Sequence, residues 1–550
     1  MTGAEYIVET LISFHSTDAF GIPGGVILDL LYAMEARKPL FTLHLSYHEQ
    51  AAGFAANGYA QSSGKLGMAY ATRGPGFTNL VTPIADAYYD SVPVLYITAH
   101  SATCPPNGMR VMADQEIDTC SIVRNITKKA LRLDDTASFA QEFKNLCKVA
   151  LTGRKGPVFL DVSTKILSQE IEINYNTSQK SDDKAIPDVS AIVDSIRNAK
   201  CPIILAGDGI NQANARDFFQ QFCKKAHIPV VSSRFTHDIL EGSDQYYGYV
   251  GSHGIRCANF ILSKTDLILS IGNRLHFPVL SSSFSCVYNH ANIIRCEIDD
   301  NELSRDIPNS TSFICDARQF IQALMSYDDY GSHEDWIKNC NIIRDKLSGS
   351  DINDIVKDIS FILKRISEGN IVVNDVGNNE FWVSRASVYG KNDIRTLYSK
   401  SLGTLGCGIP KSIGAYYATN KPIVCFVGDQ GFQMNIQELQ FIVSQQLPIT
   451  IVVVNNSESG MIKDKELQMG KSPLHTTIET GYSVPSIKKI SEAYDLQYYS
   501  FDDFGSKRPS IIEIKASPKT KLVPQLPKGQ PCQDMLPLID REMYNFLNSI

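Results

Sequence analysis

The stretch 428–461, GDQGFQMNIQELQFIVSQQLPITIVVVNNSESGM, constrains the fold of this chain more than any other. The apolar run 423–427 ends in Gly428-Asp429, and a second run, 449–454, ends in Asn455-Asn456. Between them, 435–446 carries the helical period, so the segment predicts strand, turn, helix, strand. A crossover of that kind joins parallel strands. Both polar ends then fall at the carboxyl edge of the sheet, where open α/β sheets place their ligands. One carboxylate, one amide oxygen and a loop carbonyl form a donor set for a hard cation that keeps phosphate oxygens and water, the habit of Mg²⁺. The bland alternative is an ordinary βαβ unit with a capping aspartate and a turn-forming asparagine pair.

The same alternation runs through the chain. Apolar strands at 65–71, 92–98 and 157–162 alternate with helical patterns, as do those at 202–206, 230–232 and 266–271, and those at 371–374, 422–427 and 449–454. Alternation of this kind predicts α/β architecture, parallel sheets covered by helices on both faces. At 550 residues the chain exceeds one core and suits three domains. The polar stretches 168–187 and 326–354 read as linkers, giving expected domains at 1–167, 188–326 and 355–550.

Composition narrows the function classes. A formal charge of −7 provides no basic field to hold a nucleic acid or an anionic membrane surface. The opening MTGAEYIVETLISFHS has no basic segment and places glutamates inside its apolar pattern, as an amphipathic helix does and a secretory signal does not. No apolar run is long enough to span a bilayer. Thirteen cysteines without a CxxC pair read as small buried hydrophobes in a reducing compartment, so a cytoplasmic location is expected. His44 and His48 lack the third ligand of a zinc site, and no GxSxG elbow is present.

The N-terminal third holds a second concentrated signal. A strand over 43–47 leads into HEQAAGFAANGYA, a helix of small residues that begins at His48-Glu49. At a helix start the dipole favours a negative charge, and by itself Glu49 would be a first-turn residue.

These stretches together resemble the thiamin diphosphate-dependent enzymes, and acetohydroxyacid synthase in particular. The match consists of GIPGG at 21–25, the helix at 48–60, ATRGPGFTNL at 71–80, DQEID at 114–118, SLGTLGCGIPKSIGA at 401–415, and the 428–461 unit, whose GDQG…NN stands for the family's GDG…NN. The resemblance is strong in both outer segments and weak between them. It implies thiamin diphosphate and Mg²⁺ as cofactors, with the metal held by Asp429, Asn456 and the main-chain carbonyl of Glu458. It implies that Glu49 shares a proton with the pyrimidine N1′, which promotes loss of the thiazolium C2 proton. Leu405 stands where the family folds the two rings against an aliphatic side chain, and Gly403 meets the pyrimidine through its main chain. Gln115 is implied as a hydrogen-bond donor to the substrate oxygen. Gly25, Gly428, Gln430, Gly431, Gly460 and Met461 complete the implied cofactor surface. Asn378 and Asn379, in DVGNN against the family's VGQHQ, are implied phosphate donors. The third motif glycine is replaced by Gln430, and Gly431 is expected to relieve the demand for close approach. The resemblance also implies a homodimer or homotetramer with active sites between chains.

Two departures concern the second substrate. Where acetohydroxyacid synthases have RFDDRVTG, this chain has Arg274-Leu275-His276-Phe277-Pro278-Val279, so proline replaces the second arginine. Where they have GMVRQW, it has Gly460-Met461-Ile462-Lys463-Asp464-Lys465, so lysine replaces tryptophan. Loss of a bidentate arginine weakens carboxylate binding. The expected function is therefore a carboligase that decarboxylates a 2-ketoacid, such as pyruvate, and transfers the acyl unit to a keto-sugar or aldehyde rather than a second ketoacid. The alternatives are a 2-ketoacid decarboxylase or carbon–carbon lyase, and more remotely a non-catalytic cofactor-binding scaffold. In the central domain FAD, ADP or nothing remains open. GDGIN at 207–211, GSHG at 251–254 and Arg274 mark the place. The tail 518–550, with a helical pattern at 535–547, is read either as a segment that closes over the site or as an inert surface.

Overall fold

A computed structural model of the chain describes residues 1–101, 113–171, 173, 188–240, 242–275, 282–365, 369–390, 394–501 and 507–550. It contains three six-stranded parallel sheets flanked by helices. The first is built from β1 (Asp18–Gly21), β2 (Thr42–Leu45), β3 (Gly67–Tyr70), β4 (Val94–His100), β5 (Lys129–Leu133) and β6 (Val158–Ser163), in the order β2-β1-β3-β4-β6-β5. The second holds β7 (Pro202–Ala206), β8 (Val230–Ser232), β9 (Tyr246–Tyr249), β10 (Leu267–Ile271), β11 (Asn292–Glu297) and β12 (Ser310–Ile314), in the order β12-β11-β10-β7-β8-β9. The third holds β13 (Ile371–Asn374), β14 (Arg395–Tyr398), β15 (Ile423–Gly428), β16 (Ile449–Asn455), β17 (Gln497–Ser500) and β18 (Ser510–Lys515), in the order β14-β13-β15-β16-β18-β17. Inner strands such as β4 and β6 are buried at every position, which explains their mostly apolar sequence; buried Asp161 in β6 pairs with His100 of β4 at 2.9 Å.

Contacts gather the chain into two units. One comprises Met1–Gln179, Gly369–Glu380 and Thr396–Pro518, with the first and third sheets; the other comprises Lys180–Glu368, Phe381–Arg395 and Lys519–Ile550, with the second. Within the first unit, the helix Glu49–Ser63 crosses the helix Gly408–Thr419 with backbone against backbone. A Cβ on Gly414 would lie 1.8 Å from the Ala55 carbonyl oxygen, and one on Gly58 would lie 2.2 Å from that of Lys411. The small residues of HEQAAGFAANGYA are thus the packing surface of a tight helix crossing, buried without interruption from Ala51 to Ala60.

Four expectations are corrected. In place of one helix over 435–446, the segment forms a 3₁₀ turn Ile436–Glu438 and a helix Leu439–Ser444, preceded by a helix Asp429–Met434 that ends where Asn435 leaves helical geometry at φ −132°. Asp429 therefore opens a helix instead of lying in a turn. The second linker, 326–354, contains the helix Glu334–Leu347, whose Trp336, Cys340, Ile343 and Leu347 form a buried stripe that polar composition concealed. The terminal helix runs Arg541–Ser549 with Asp540 as its cap, later than its pattern. The tail itself is part of the second unit's core. Cys532, Met535 and Leu547 are fully buried, Arg256 Nη1 donates to Met535 O at 2.8 Å, and Asn259 Nδ2 donates to Cys532 O at 3.1 Å.

The first helix, Gly3–Ser13, carries a reciprocal cap between Thr2 and Glu5, as an amphipathic helix with a proper start should. Among the described residues no helix is long and apolar enough to cross a membrane, and no cysteine is in a disulfide.

Candidate active site

The structure assembles the expected residues into two clusters, both within the first unit. Glu49 is the first residue of its helix, whose cap is the His48 ring accepting from Gln50 N at 3.1 Å. Asn79 Nδ2 donates to Glu49 Oε2 at 2.9 Å. The other carboxylate oxygen faces Gly76, where a Cβ would sit 3.2 Å away. The Gly74–Gly76 turn also meets Gln115: a Cβ on Gly74, itself at φ +64°, would lie 2.6 Å from Gln115 O. Gln115 adopts φ +58°, a left-handed conformation that is strained for a side-chain-bearing residue. It is held there by its neighbour. Glu116 Oε1 accepts from Arg73 Nη1 at 2.7 Å and from Ser101 N at 2.6 Å. Gly25 faces open space, whereas a Cβ on Gly24 would lie 2.4 Å from Thr72 Cβ, so sterics require glycine at 24.

The second cluster lies at the carboxyl ends of β13, β15 and β16. Asp429 is buried, and burial raises its carboxyl above the usual range, opposed by a hydrogen bond from Tyr482. Tyr482 OH donates to Asp429 Oδ1 at 2.6 Å and Ser457 N to Oδ2 at 2.7 Å. The Asn456 amide oxygen stands 3.3 Å from Asp429 Oδ2 and 3.0 Å from Glu458 O. Turning the amide over would let its nitrogen donate to both oxygens. With the amide oxygen inward, it meets Asp429 Oδ2 and Glu458 O at about the 3.0 Å spacing of neighbouring ligands on an octahedral ion with bonds near 2.1 Å, the orientation a bound cation would select. The donor set fits a small hard cation. Its single carboxylate also explains why no group of three His, Cys, Asp or Glu side chains occurs among the described residues. The Glu458 side chain is turned away to pair with Lys463, leaving its carbonyl as the available ligand.

Beside this set, the helix Gly460–Gln468 begins where two amides converge. A Cβ on Gly460 would lie 2.7 Å from Asn456 Nδ2 and 2.8 Å from Asn378 Nδ2, so glycine leaves the cradle open for an anion at the helix start. Asn378 places its Nδ2 at this helix start. Asn379 does not: its amide group already donates to Asn374 Oδ1 at 3.0 Å and to Asp375 O at 2.8 Å, which shapes the loop and spends both hydrogens. Gln430 is exposed and has no left-handed φ, while Gly431 is the tight position, 3.2 Å from Asp375 Oδ1 as measured from a Cβ. The replacement of the third motif glycine therefore falls where glycine is unnecessary.

Sequence reasoning missed Asp375. Its buried carboxylate accepts from Gly408 N at 2.7 Å, Gly406 N at 2.9 Å and Val376 N at 2.7 Å, and so orders the loop that carries Leu405. Burial pushes its carboxyl up to about 6 against those three amides. Leu405 is half-buried between Gly403 at φ +68° and Gly406 at φ +87°. A charged residue directly after an apolar strand was the available signal for Asp375. Asn79 and Glu116 lay inside the 71–80 and 114–118 stretches without a role of their own, and Tyr482 had no signal, because its partner is remote in sequence.

Of the acceptor-side residues, Lys465 is exposed on the helix Gly460–Gln468, on the same face as Met461. Pro278 lies outside the described residues. In the second unit Arg274 Nη1 is 3.9 Å from Glu302 Oε1. A Cβ on Gly207 would lie 2.2 Å from Gly272 O and one on Gly209 2.6 Å from Gly272 Cα. These glycines let two turns cross, so they do not argue for a dinucleotide.

Comparison with known proteins matches three family descriptions in order: thiamine pyrophosphate enzyme, N-terminal TPP binding domain, over residues 1–122; central domain, over 189–324; and C-terminal TPP binding domain, over 375–523. Similar curated proteins include the acetolactate synthase large subunit of Lactococcus lactis subsp. lactis, 31% identical over 98% of this chain and 96% of its own. A probable acetolactate synthase large subunit of Methanococcus aeolicus is 31% identical over 90% and 87%. The acetolactate synthase isozyme 2 large subunit of Escherichia coli K12 is 28% identical over 98% and 99%.

Proposed function

The chain belongs to the thiamine pyrophosphate-dependent enzymes of the acetolactate synthase type, and from that premise we propose that it decarboxylates a 2-ketoacid, pyruvate or a close analogue, and passes the acyl unit to a carbonyl acceptor. The observation that carries this reading is the cradle in which Asn456 Oδ1 faces Asp429 Oδ2 at 3.3 Å and Glu458 O at 3.0 Å beside the open start of the Gly460–Gln468 helix. Mg²⁺ at these three oxygens would neutralise a diphosphate that Asn378 and the helix-end amides hold. When bound, thiamin diphosphate supplies a carbon acid that adds to a ketoacid carbonyl and retains the electron pair freed as CO₂ departs.

The chain's own residues prepare and protect that chemistry. Glu49 exchanges a proton with the pyrimidine nitrogen, and Asn79 fixes the carboxylate through one oxygen while leaving the other available. Leu405, on the loop ordered by Asp375, props the two rings together. Gln115, aimed by its strained backbone, donates to the substrate oxygen. The helix Gly460–Gln468, which buries no residue and leaves Ile462 54% exposed, supports a homodimer or homotetramer in which one chain's Glu49 meets another's Asp429.

For the acceptor, the lysine at 465 and proline at 278 favour a keto-sugar or aldehyde over a second ketoacid. A plain decarboxylase or a carbon–carbon lyase is the second reading, because the same two clusters serve both. Flavin would be a structural passenger, since the net reaction transfers no electrons between substrates. The free cysteines support a reducing compartment.

The test combines purified protein with Mg²⁺, thiamin diphosphate and pyruvate, following CO₂ and products by NMR with no acceptor, a second ketoacid, and keto-sugar or aldehyde acceptors. CO₂ release that requires a non-acid acceptor is the expected result. Acetolactate from pyruvate alone would overturn the acceptor reading, and free acetaldehyde would favour the decarboxylase.

A further inference from the structure

Glu438 is a buried carboxylate to which the reading above assigns no task, and it reaches the catalytic half from 391 positions away in sequence. Its Oε1 accepts from Tyr47 N at 2.9 Å, and the neighbouring His48 amide also favours the charged carboxylate. Those two amides belong to the residues immediately before Glu49. They lie at the start of the helix Glu49–Ser63, where amide hydrogens lack partners within the helix and a negative charge is favoured.

The turn carrying Glu438 is fixed in its own right. Buried Asn435, one residue before the Ile436–Glu438 turn, donates through Nδ2 to Gly406 O at 2.7 Å, the residue after Leu405. One short segment, 435–438, thus holds the loop of Leu405 at one end and the turn of Glu49 at the other. The charged groups on the surrounding elements are engaged elsewhere: His44 with Asp18 at 2.8 Å, Lys411 with Asp86 at 2.8 Å, and Glu49 with Asn79 at 2.9 Å. Burial raises the Glu438 carboxyl, to about 7, and only the two main-chain amides counter it.

We propose that Glu438 is a positioning residue for Glu49: its carboxylate clamps the Tyr47 and His48 amides and so sets where the Glu49 carboxylate is presented. The inference rests on the assignment of Glu49 as the group that exchanges a proton with the cofactor. Without the clamp the Tyr47 amide loses its partner and the His48 amide its nearby charge, and the Glu49 side chain samples positions from which the ring nitrogen is out of reach.

Glu438→Gln keeps the shape but turns an amide NH₂ toward one of the two donors; Glu438→Asp keeps the charge on a shorter arm. Both, with Glu49→Gln and wild type, are compared as full-length protein by three readouts. Amide hydrogen exchange of a peptide covering 43–52, in protein without cofactor, should quicken at least about tenfold in Glu438→Gln. Deuterium exchange at the C2 position of bound thiamin diphosphate should slow about 10- to 100-fold, with cofactor affinity within about threefold of wild type. Glu438→Asp should recover part of both effects, and kcat should fall while KM for the donor holds. Unchanged C2 exchange in a folded Glu438→Gln protein would overturn the proposal, as would a uniform loss of thermal stability and cofactor affinity without a selective effect on C2 exchange. Wild-type C2 exchange in Glu49→Gln would instead overturn the assignment of Glu49, which separates the two failures.

Discussion

The two clusters differ in how tightly they hold their carboxylates. Among the described residues Glu49 has one side-chain donor, Asn79, and its other oxygen faces Gly76. Asp429 is hydrogen-bonded by Tyr482 and Ser457 and confronted by two further oxygens, and Asp375 behind it accepts three main-chain amides. Under the proposed function, the carboxylate that trades a proton is the one held lightly, and the one that stays an anion beside a cation is ringed by donors. That proposal divides the site into a half that governs rate and a half that governs affinity, and substitutions should sort the same way.

The largest effect is expected at Glu49. Glu49→Gln should lower kcat by about 10²–10⁴-fold with cofactor affinity nearly unchanged, measured by steady-state CO₂ release and titration calorimetry. Asp429→Ala should instead weaken Mg²⁺-dependent cofactor binding by more than about 100-fold, since loss of even an outer-sphere partner costs about 10–100-fold. If both variants lost affinity and rate alike, the division between the halves would be wrong. Gly460→Ala places a Cβ 2.7 Å from Asn456 Nδ2 and should cost about 10–100-fold in cofactor affinity without altering the fold.

A pH effect sharpens the picture from the stability side. The Glu438 carboxyl stands at about 7 in the fold against an ordinary 4.5. A carboxyl raised on folding favours the native state fully below its unfolded value and loses that contribution as pH rises through the folded one. Wild type should therefore lose about 3 kcal/mol relative to Glu438→Gln between pH 4.5 and 7, read from denaturant midpoints. A parallel pH dependence in the two proteins would contradict this. The smallest effect belongs to Gln430→Gly, which touches an exposed position and should change rate and affinity by less than about twofold.

Much of this organisation was legible in the sequence, for identifiable reasons. The strands β7, β8 and β13 fall where their apolar runs begin and end, because interior parallel strands are apolar on both faces. Glu49, Asp429 and Asn456 stand at the ends of such runs, where a polar residue contrasts with its neighbours. What was illegible depends on distance along the chain. The pairing of Glu438 with Tyr47, of Asp86 with Lys411 at 2.8 Å across two helices, and of Tyr482 with Asp429 at 2.6 Å has no local pattern. Asn379 looked like a phosphate donor because its type and place fit, yet its hydrogens were already committed to Asn374 and Asp375. Polar composition hid the helix Glu334–Leu347, whose inward face is carried by only four residues, and the buried tail, whose docking uses main-chain carbonyls.

The most direct test of the central claim, that the Glu49 and Asp429 clusters are the two halves of one active site contributed by different chains, is complementation. Full-length Glu49→Gln and Asp429→Ala proteins, each inactive alone, would be mixed under conditions that allow subunit exchange, with mixed oligomers verified by differential tags. A mixed dimer pairs one intact site with one doubly broken site, so random exchange at equal amounts should restore about a quarter of wild-type turnover. Verified mixed oligomers that remain inactive would show that the two clusters do not meet across chains.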